Sequence, residues 1–186
     1  MLEDKFAPYL EEPIFIEVLK IVRQNSKGKI WLMGGYLYKN IAAALYGGRK
    51  YTADIDFIVE ERSSELNEIP GWKIEVNNYG VKNYVNDLVK TSMTDLKNAI
   101  RISGMKNPSA AVFIEETPLN VQSIAYSLDQ NKIIGSKGVE ALMSKIVKVN
   151  NLPQAEYYAQ RKGKTLENII IEKATELGFG YELPVS

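Results

Sequence analysis

The chain has 186 residues, with 23 basic and 23 acidic side chains, so its formal net charge at pH 7 is zero. This balance excludes a strong attraction of the whole molecule to a polyanion, and any nucleic-acid contact must come from a local basic patch. The absence of cysteine and histidine excludes disulfides, zinc–thiolate sites, thiol nucleophiles and a Ser-His-Asp triad. The chemistry that remains relies on carboxylates, whose oxygens suit Mg²⁺ or Mn²⁺.

The N-terminal segment MLEDKFAPYLEEP is mixed and charged, which is not typical of a signal peptide. No apolar run approaches the ~20 residues needed to cross a bilayer. We therefore expect a cytoplasmic protein that does not enter a membrane.

Apolar spacing predicts the elements of the first third of the chain. The predicted elements are a helix over 13–24, a strand over 29–33, a helix over 36–46 and a strand over 55–59. Gly34 and Gly35 stop the first strand, and Gly47 and Gly48 close the second helix.

The same patterns predict the rest of the chain in order. The predictions are a loop over 60–71, a strand over 72–76, helices over 79–90 and 94–102, a strand pair over 110–115 and 119–128 joined near Thr117-Pro118, and helices over 138–150 and 165–177. This order favours an α+β fold with a small mixed sheet flanked by helices. A soft boundary near 150–153 divides it into a domain over 1–150 and a helical C-terminal extension over 151–186 that packs on it.

Two acids follow the glycine pair. Asp54 and Asp56 flank Ile55 at the start of a strand, where alternate side chains face the same side. Two carboxylates that close raise each other's pKa unless a cation lies between them. Gly34 and Gly35 let a phosphate approach the backbone, and the next helix offers unpaired N–H groups. We therefore predict that Asp54 and Asp56 are catalytic metal ligands and that the glycines cradle a nucleoside triphosphate.

The segment MGGYLYKNIAAALYGGRKYTADIDF resembles the signature of the DNA polymerase β-type nucleotidyltransferase superfamily. Its part GGRKYTADIDF is most similar to the abortive-infection (AbiEii-like) toxin branch, and this resemblance implies that Arg49 and Thr52 bind the nucleotide. The glycine pair and Asp-Ile-Asp also resemble the head domain of tRNA CCA-adding enzymes. Those enzymes usually carry Arg-Asp where this chain has Tyr38-Lys39. The resemblance implies a nucleotidyltransferase fold.

Two later segments, GVEALMSKIVKVNN and QRKGKTLEN, resemble the second functional region of the toxin branch. That resemblance implies nucleotide-binding roles for Lys145, Arg161 and Lys164, with Glu167 as the acid that follows the basic cluster.

Members of the superfamily usually supply a third acid from a later strand. The matching strand position in PLNVQSIAY carries Asn120 or Gln122, whose amide oxygens can ligate a metal but cannot act as a base. Asp87 and Glu115 are the alternative third ligands.

Together these features predict an Mg²⁺- or Mn²⁺-dependent enzyme that transfers a nucleoside monophosphate from an NTP to a hydroxyl of a tRNA 3′ end, a protein or a small molecule. It could act as a toxin with an antitoxin-like partner. The alternative is a catalytically degenerate nucleotide-binding or interaction module of the same fold.

Overall fold

The computed structural model describes residues 1–77, 80–98 and 108–185. The helices whose bounds it gives are α1 (Leu2–Leu10), α2 (Pro13–Gln24), α3 (Gly34–Tyr46), α4 (Ala110–Glu115), α5 (Ser136–Ser144), α6 (Leu152–Lys162) and α7 (Leu166–Leu177), with a 3₁₀ turn at Asn120–Gln122. The strands are β1 (Ser26–Met33), β2 (Asp54–Arg62), β3 (Lys73–Val76), β4 (Lys82–Val85), β5 (Lys90–Asp95), β6 (Ala125–Ser127), β7 (Lys132–Ile134), β8 (Ile146–Val147) and β9 (Gly180–Tyr181). Within these residues, no helix combines the length and the apolar character needed to cross a membrane.

The main sheet has the strand order β3-β4-β5-β2-β1-β6-β7. The central pair β2 and β5 is parallel, and the other neighbours are antiparallel. Strands β8 and β9 form a separate parallel pair. The predicted α+β class, a mixed sheet flanked by helices, is therefore confirmed.

Strand β2 is buried on both faces of the sheet. Ile55, Phe57 and Val59 belong to the main core with α2 and α3, whereas Ile58 belongs to a second cluster with Ala110 and other residues. Since side chains alternate along a strand, Asp54 and Asp56 share the face of Ile58. The two acids therefore face the side of the sheet on which α4 packs.

Aromatic rings fill the main core between the helices and the sheet. Phe15 of α2 stacks on Tyr36 of α3 with a centroid distance of 5.5 Å, and lies 6.1 Å from Phe57 of β2. Pro13 begins α2, where its fixed φ fits the first helical turn. The predicted helices over 13–24, 36–46 and 165–177 and the strands over 29–33, 55–59 and 72–76 are confirmed, with shifted ends in all but the first.

The predicted helix over 79–90 is wrong in its described part, because β4 occupies 82–85. Tyr84 is fully buried and donates a hydrogen bond to the carbonyl of Asn67 at 2.6 Å, so strand pairing and core packing prevail over the helical spacing of the valines. The helix predicted over 94–102 also starts wrongly, because Thr94 lies in β5; residues 99–102 are outside the described residues.

The predicted strand over 110–115 is the helix α4. Ser109 caps it by accepting a hydrogen bond from the Val112 N–H at 3.1 Å, and the buried residues Ala110 and Ile114 are four positions apart. The predicted strand over 119–128 is reduced to β6, which pairs with β1 and β7 and not with 110–115.

The helix predicted over 138–150 ends early. Lys145 adopts a left-handed conformation with φ of 58°, which stops α5 before β8. The loop predicted over 60–71 begins after β2, which continues to Arg62. Helix α1 lay outside the predicted elements, and α6 falls within the predicted helical extension over 151–186, where no separate helix was predicted for it. The division into 1–150 and 151–186 stays a prediction.

Candidate active site

A cleft of about 860 Å³ opens beside the two acids. It is lined from the β1–α3 junction, β2, α4, α6 and α7 by Met33, Gly34, Gly35, Tyr38, Lys39, Tyr51, Asp54, Asp56, Phe113, Glu116, Thr117, Pro118, Gln122, Gln154, Tyr158, Lys162 and Lys173. The glycine pair and the acid pair predicted from the sequence are thus brought together in one cleft.

Each glycine of the pair leaves room for a particular neighbour. Gly34 has a φ of +74°, and a Cβ there would lie 3.0 Å from Oδ2 of Asp56. A Cβ on Gly35 would lie 2.9 Å from Cε1 of Tyr51. The pair also begins α3, whose N-cap residue Met33 supplies no side-chain cap. The first N–H groups of this helix are therefore oriented to bind an anion at the cleft.

Each acid accepts one hydrogen bond from a hydroxyl group. Oδ2 of Asp54 accepts from the Tyr51 hydroxyl at 2.8 Å, and Oδ1 of Asp56 accepts from the Ser92 hydroxyl at 2.6 Å. Within the described residues, no side-chain hydrogen bond occupies the other oxygen of either acid. Both carboxylates therefore keep an oxygen for a cation.

Burial raises the pKa of the Asp56 carboxyl, and the charge of Asp54 adds to the rise, while the Ser92 hydrogen bond and the charge of Lys90 act against it. Burial likewise raises the pKa of Tyr51, and its hydrogen bond to Asp54 raises it further. A divalent cation between the two acids would relieve their repulsion. The donor set, two carboxylates with a free oxygen each, therefore fits Mg²⁺ or Mn²⁺.

A lysine wall lines the cleft together with the acids. We use this name for Lys39 of α3 and Lys173 of α7, which share the carboxylate of Glu176. Nζ of Lys173 lies 2.6 Å from Oε2 of Glu176, and Lys39 pairs with Oε1. The side chains of Lys39 and Lys173 are only 13% and 17% exposed. Two cations around one anion leave this wall with a net positive charge.

Lys173 and Glu176 stabilise each other's charged form. Burial lowers the pKa of Lys173, but the charges and hydrogen bonds of Tyr38 and Glu176 outweigh it and raise the pKa overall. For Glu176, burial raises the pKa, but Lys173 and Lys39 outweigh it and hold the pKa below its ordinary value. Lys173 and Glu176 are therefore both charged near neutral pH.

Two other predicted nucleotide-binding residues lie close to the acids in the chain but not among the residues that line the cleft. Arg49 is exposed in the loop before β2, and Thr52 is half-buried there. Their roles stay predictions.

The later basic residues lie outside the cleft. Nζ of Lys145 is 4.8 Å from the ring centre of Tyr46, and Nζ of Lys164 is 2.7 Å from Glu172. Arg161 lies over the ring of Tyr157. From this basic cluster, Lys162 lines the cleft instead.

The structure also locates the candidate third ligands. Asn120 is buried, its Oδ1 accepts from the N–H groups of Val121 and Lys148, and its amide donates to Ile146, so it connects the 3₁₀ turn to β8 and does not line the cleft. Asp87 lies in the β4–β5 loop near Trp72.

The remaining alternatives lie on α4 and the 3₁₀ turn. Glu115 pairs with Lys137 at 2.6 Å, whereas its neighbour Glu116 lines the cleft. Gln122 also lines the cleft, and its Oε1 accepts from the Leu119 N–H. On β5, the residue that pairs with Asp56 is Ser92. Among the described residues, no group of three acids is close enough to share a metal ion.

Sequence reasoning missed Tyr51, Ser92 and the lysine wall. One signal was available for Lys173, which interrupts the apolar stripe of the closing helix four positions after Ile169. A charged side chain on a buried face requires a partner, and this one has Glu176 on the same helix.

No protein-family model matches the sequence, and none of the curated proteins matches it. Solved structures do match the fold. A CCA-adding enzyme in complex with CTP superposes with a TM-score of 0.62 at 14% identity, over 96% of this chain and 43% of that chain. The CCA-adding enzyme of Bacillus stearothermophilus with CTP gives 0.56 at 15% identity, over 92% and 41%.

The CCA-adding enzyme of Thermotoga maritima in complex with tRNA gives a TM-score of 0.55 at 14% identity, over 94% of this chain and 40% of that chain. The present chain thus spans less than half the length of these structures. At such low identity the likeness concerns the fold, and the predicted nucleotidyltransferase fold is confirmed. The likeness to the abortive-infection branch stays a prediction.

Proposed function

We propose that the chain is a metal-dependent nucleotidyltransferase that transfers a nucleoside monophosphate from an NTP to a hydroxyl acceptor and releases pyrophosphate. The observation that carries this proposal is the joint placement of Gly34, Asp54, Asp56 and the lysine wall around one cleft. Solved structures of this fold include CCA-adding enzymes with CTP, with ATP and with tRNA.

Asp54 and Asp56 would hold Mg²⁺ or Mn²⁺ through their free oxygens. When bound, the metal ion supplies positive charge that orients the triphosphate and stabilises the displaced pyrophosphate. The N–H groups at the start of α3, at Gly34 and Gly35, bind phosphate oxygens.

The lysine wall provides the remaining positive charge around the triphosphate. Lys39 and Lys173 bind the terminal phosphates. The negative charge of these phosphates then neutralises part of the ammonium charge that Glu176 neutralises in the structure. Since these side chains are mostly buried, little entropy is lost when they bind. The other predicted nucleotide-binding residues would assist in binding the NTP only after a rearrangement that brings them to the cleft. They are Arg49, Thr52, Lys145, Arg161 and Lys164.

Incubation with each α-labelled NTP, Mg²⁺ or Mn²⁺, and tRNA or protein tests the proposal. We expect transfer that falls at least about 100-fold in Asp54→Asn and in Asp56→Asn, because charge stabilisation of this kind is worth about 3 kcal/mol or more. Glu61→Gln is the matched control, since Glu61 is on the same strand but pairs with Lys97 outside the cleft. Transfer that survives both aspartate substitutions contradicts the proposal.

The second candidate is a degenerate module that binds nucleotide without turnover. Ser92 favours it, because an uncharged hydroxyl occupies the strand position that pairs with Asp56. Calorimetry that detects NTP binding while no acceptor is labelled would support this candidate.

The role as a toxin with an antitoxin-like partner is tested separately. Growth arrest on expression, absent in the Asp54→Asn and Asp56→Asn double variant and relieved by a co-expressed partner, is the outcome expected of an enzymatic toxin. Normal growth at full expression would contradict the toxin role.

A further inference from the structure

One hydroxyl group of the protein already lies at the acids. The Tyr51 side chain lines the cleft, and its hydroxyl donates to Oδ2 of Asp54 at 2.8 Å. Of the other hydroxyl-bearing residues that line the cleft, Thr117 donates to the carbonyl of Ile114 at 2.7 Å, Tyr38 lies against Lys173, and the ring of Tyr158 lies against Lys162.

Tyr51 is held in this position from several sides. The fully buried Asn40 donates to its carbonyl and accepts from its N–H, both at 2.9 Å. Nζ of Lys39 lies 3.8 Å from the centre of its ring, which also packs against Gly35. The hydroxyl is therefore kept next to Asp54 without further ordering, which is the condition for an efficient intramolecular reaction.

We propose that Tyr51 is itself an acceptor and that the chain attaches a single nucleotide to it. This inference rests on the proposed nucleotidyltransferase activity. The phenolic oxygen attacks the α-phosphorus of a bound NTP and forms a phosphodiester bond. The bond from the α-phosphorus to the oxygen that bridges to the β-phosphate breaks, and its electron pair leaves with pyrophosphate. The phenolic proton passes to Oδ2 of Asp54 along the existing hydrogen bond.

The modification has a consequence for the same cleft. A nucleotide attached to Tyr51 stays in the cleft that the acids and the lysine wall line, where the next NTP has to bind. Labelling therefore stops at one nucleotide per chain, and the labelled protein loses NTP binding.

The test uses the full chain, Mg²⁺ and each α-labelled NTP. Trypsin cleaves after Lys50 and Arg62, so the peptide 51–62 carries the label, and fragmentation distinguishes Tyr51 from Thr52. We expect the nucleotide on Tyr51 with a stoichiometry that saturates at one. Tyr51→Phe keeps the ring and its packing, and it abolishes the label. Tyr157→Phe, which changes an exposed tyrosine of α6, keeps it.

The outcomes separate this inference from the function on which it rests. The labelled residue is mapped on the chain without any substitution, so this result does not depend on how a variant folds. An external acceptor that becomes labelled while Tyr51 does not, or a label at another residue, overturns the inference and leaves the proposed function intact. No NTP binding by calorimetry overturns both.

Discussion

At the scale of single residues, the glycine pair is explained by what a methyl group would displace. Both glycines were predicted from the sequence, but for access of a phosphate to the backbone. The structure adds a second reason, which is the close approach of Asp56 to Gly34 and of Tyr51 to Gly35. Tyr51 itself could not be predicted, because its contact with Asp54 depends on how the loop before β2 folds back on α3.

Gly35→Ala tests this reading of the pair. The new Cβ would meet the Tyr51 ring at 2.9 Å, so the ring must move and its hydrogen bond to Asp54 is weakened. We expect a loss of about 1–3 kcal/mol in the free energy of unfolding, as for other overpacked sites. Denaturant unfolding measures it. In a Tyr51→Ala background the same substitution should cost little, and an unchanged loss there would contradict the explanation.

Asp56 makes stability depend on pH. Because burial raises its pKa in the folded protein, the folded state binds this proton more tightly than the unfolded chain does. Stability is therefore lost as the pH rises from the ordinary aspartate value of about 4 through the raised pKa. The loss amounts to about 1.4 kcal/mol for each unit of the rise.

Asp56→Asn removes this loss. In metal-free buffer we expect the variant to be more stable than the unmodified chain at about pH 7, with a difference that shrinks toward about pH 4. Urea unfolding across this range measures it, and added Mg²⁺ should stabilise the unmodified chain only. A stability difference between Asp56→Asn and the chain without the substitution that does not change with pH would contradict the raised pKa of Asp56.

At the scale of elements, the helices and strands with long apolar patterns were predictable. The pattern of α2 fits its burial, since Phe15, Val18, Ile21 and Val22 all face the core. The short elements were not predictable, because β4 takes its structure from pairing with β3 and β5, and α4 from packing against Ile58 of β2 and Ala125 of β6. The six residues of α4 contain Val, Phe and Ile, which favour a strand, whereas the Ser109 cap and the two alanines indicate a helix.

We propose that Lys39 and Lys173 bind phosphate, and the placement of α7 is what brings Lys173 to the cleft. We expect Lys39→Met and Lys173→Met each to weaken NTP binding at least about 10-fold, since each removes a charge-assisted contact worth about 1.5–3 kcal/mol. Isothermal calorimetry with a non-hydrolysable NTP measures this. Lys164→Met is the matched control on the same side of the protein, because Lys164 pairs with Glu172 outside the cleft. A larger effect at Lys164 would restore the role predicted for the basic cluster.

At the scale of the whole molecule, the C-terminal helices share the main core. Ala159 of α6 and Ile169, Ile170 and Ala174 of α7 are buried in the same cluster as the sheet residues. The sequence predicted a helical extension here. The resemblance of QRKGKTLEN implied nucleotide-binding residues in this extension, but it pointed to Arg161 and Lys164, whereas Lys162 and Lys173 line the cleft.

A chain that ends after Asn150 tests the predicted division. Loss of two buried isoleucines alone corresponds to about 2–5 kcal/mol each, against a typical total stability of about 5–15 kcal/mol. We expect the shortened chain to lose cooperative thermal unfolding and NTP binding together. A shortened chain that unfolds at the original temperature would establish 1–150 as an independent domain.

The pairing of Lys39 with Glu176 joins an early helix to a late one. During translation, the strand with both acids leaves the ribosome long before α7 is made, and chain segments fold as they emerge. A nascent chain would therefore carry the acids and Lys39 before Lys173, and we expect it to bind a triphosphate more weakly than the whole chain does. Under the proposed function, the order of the chain would delay nucleotide transfer until α7 has been synthesised, and we expect a ribosome-bound chain arrested before that point to be inactive.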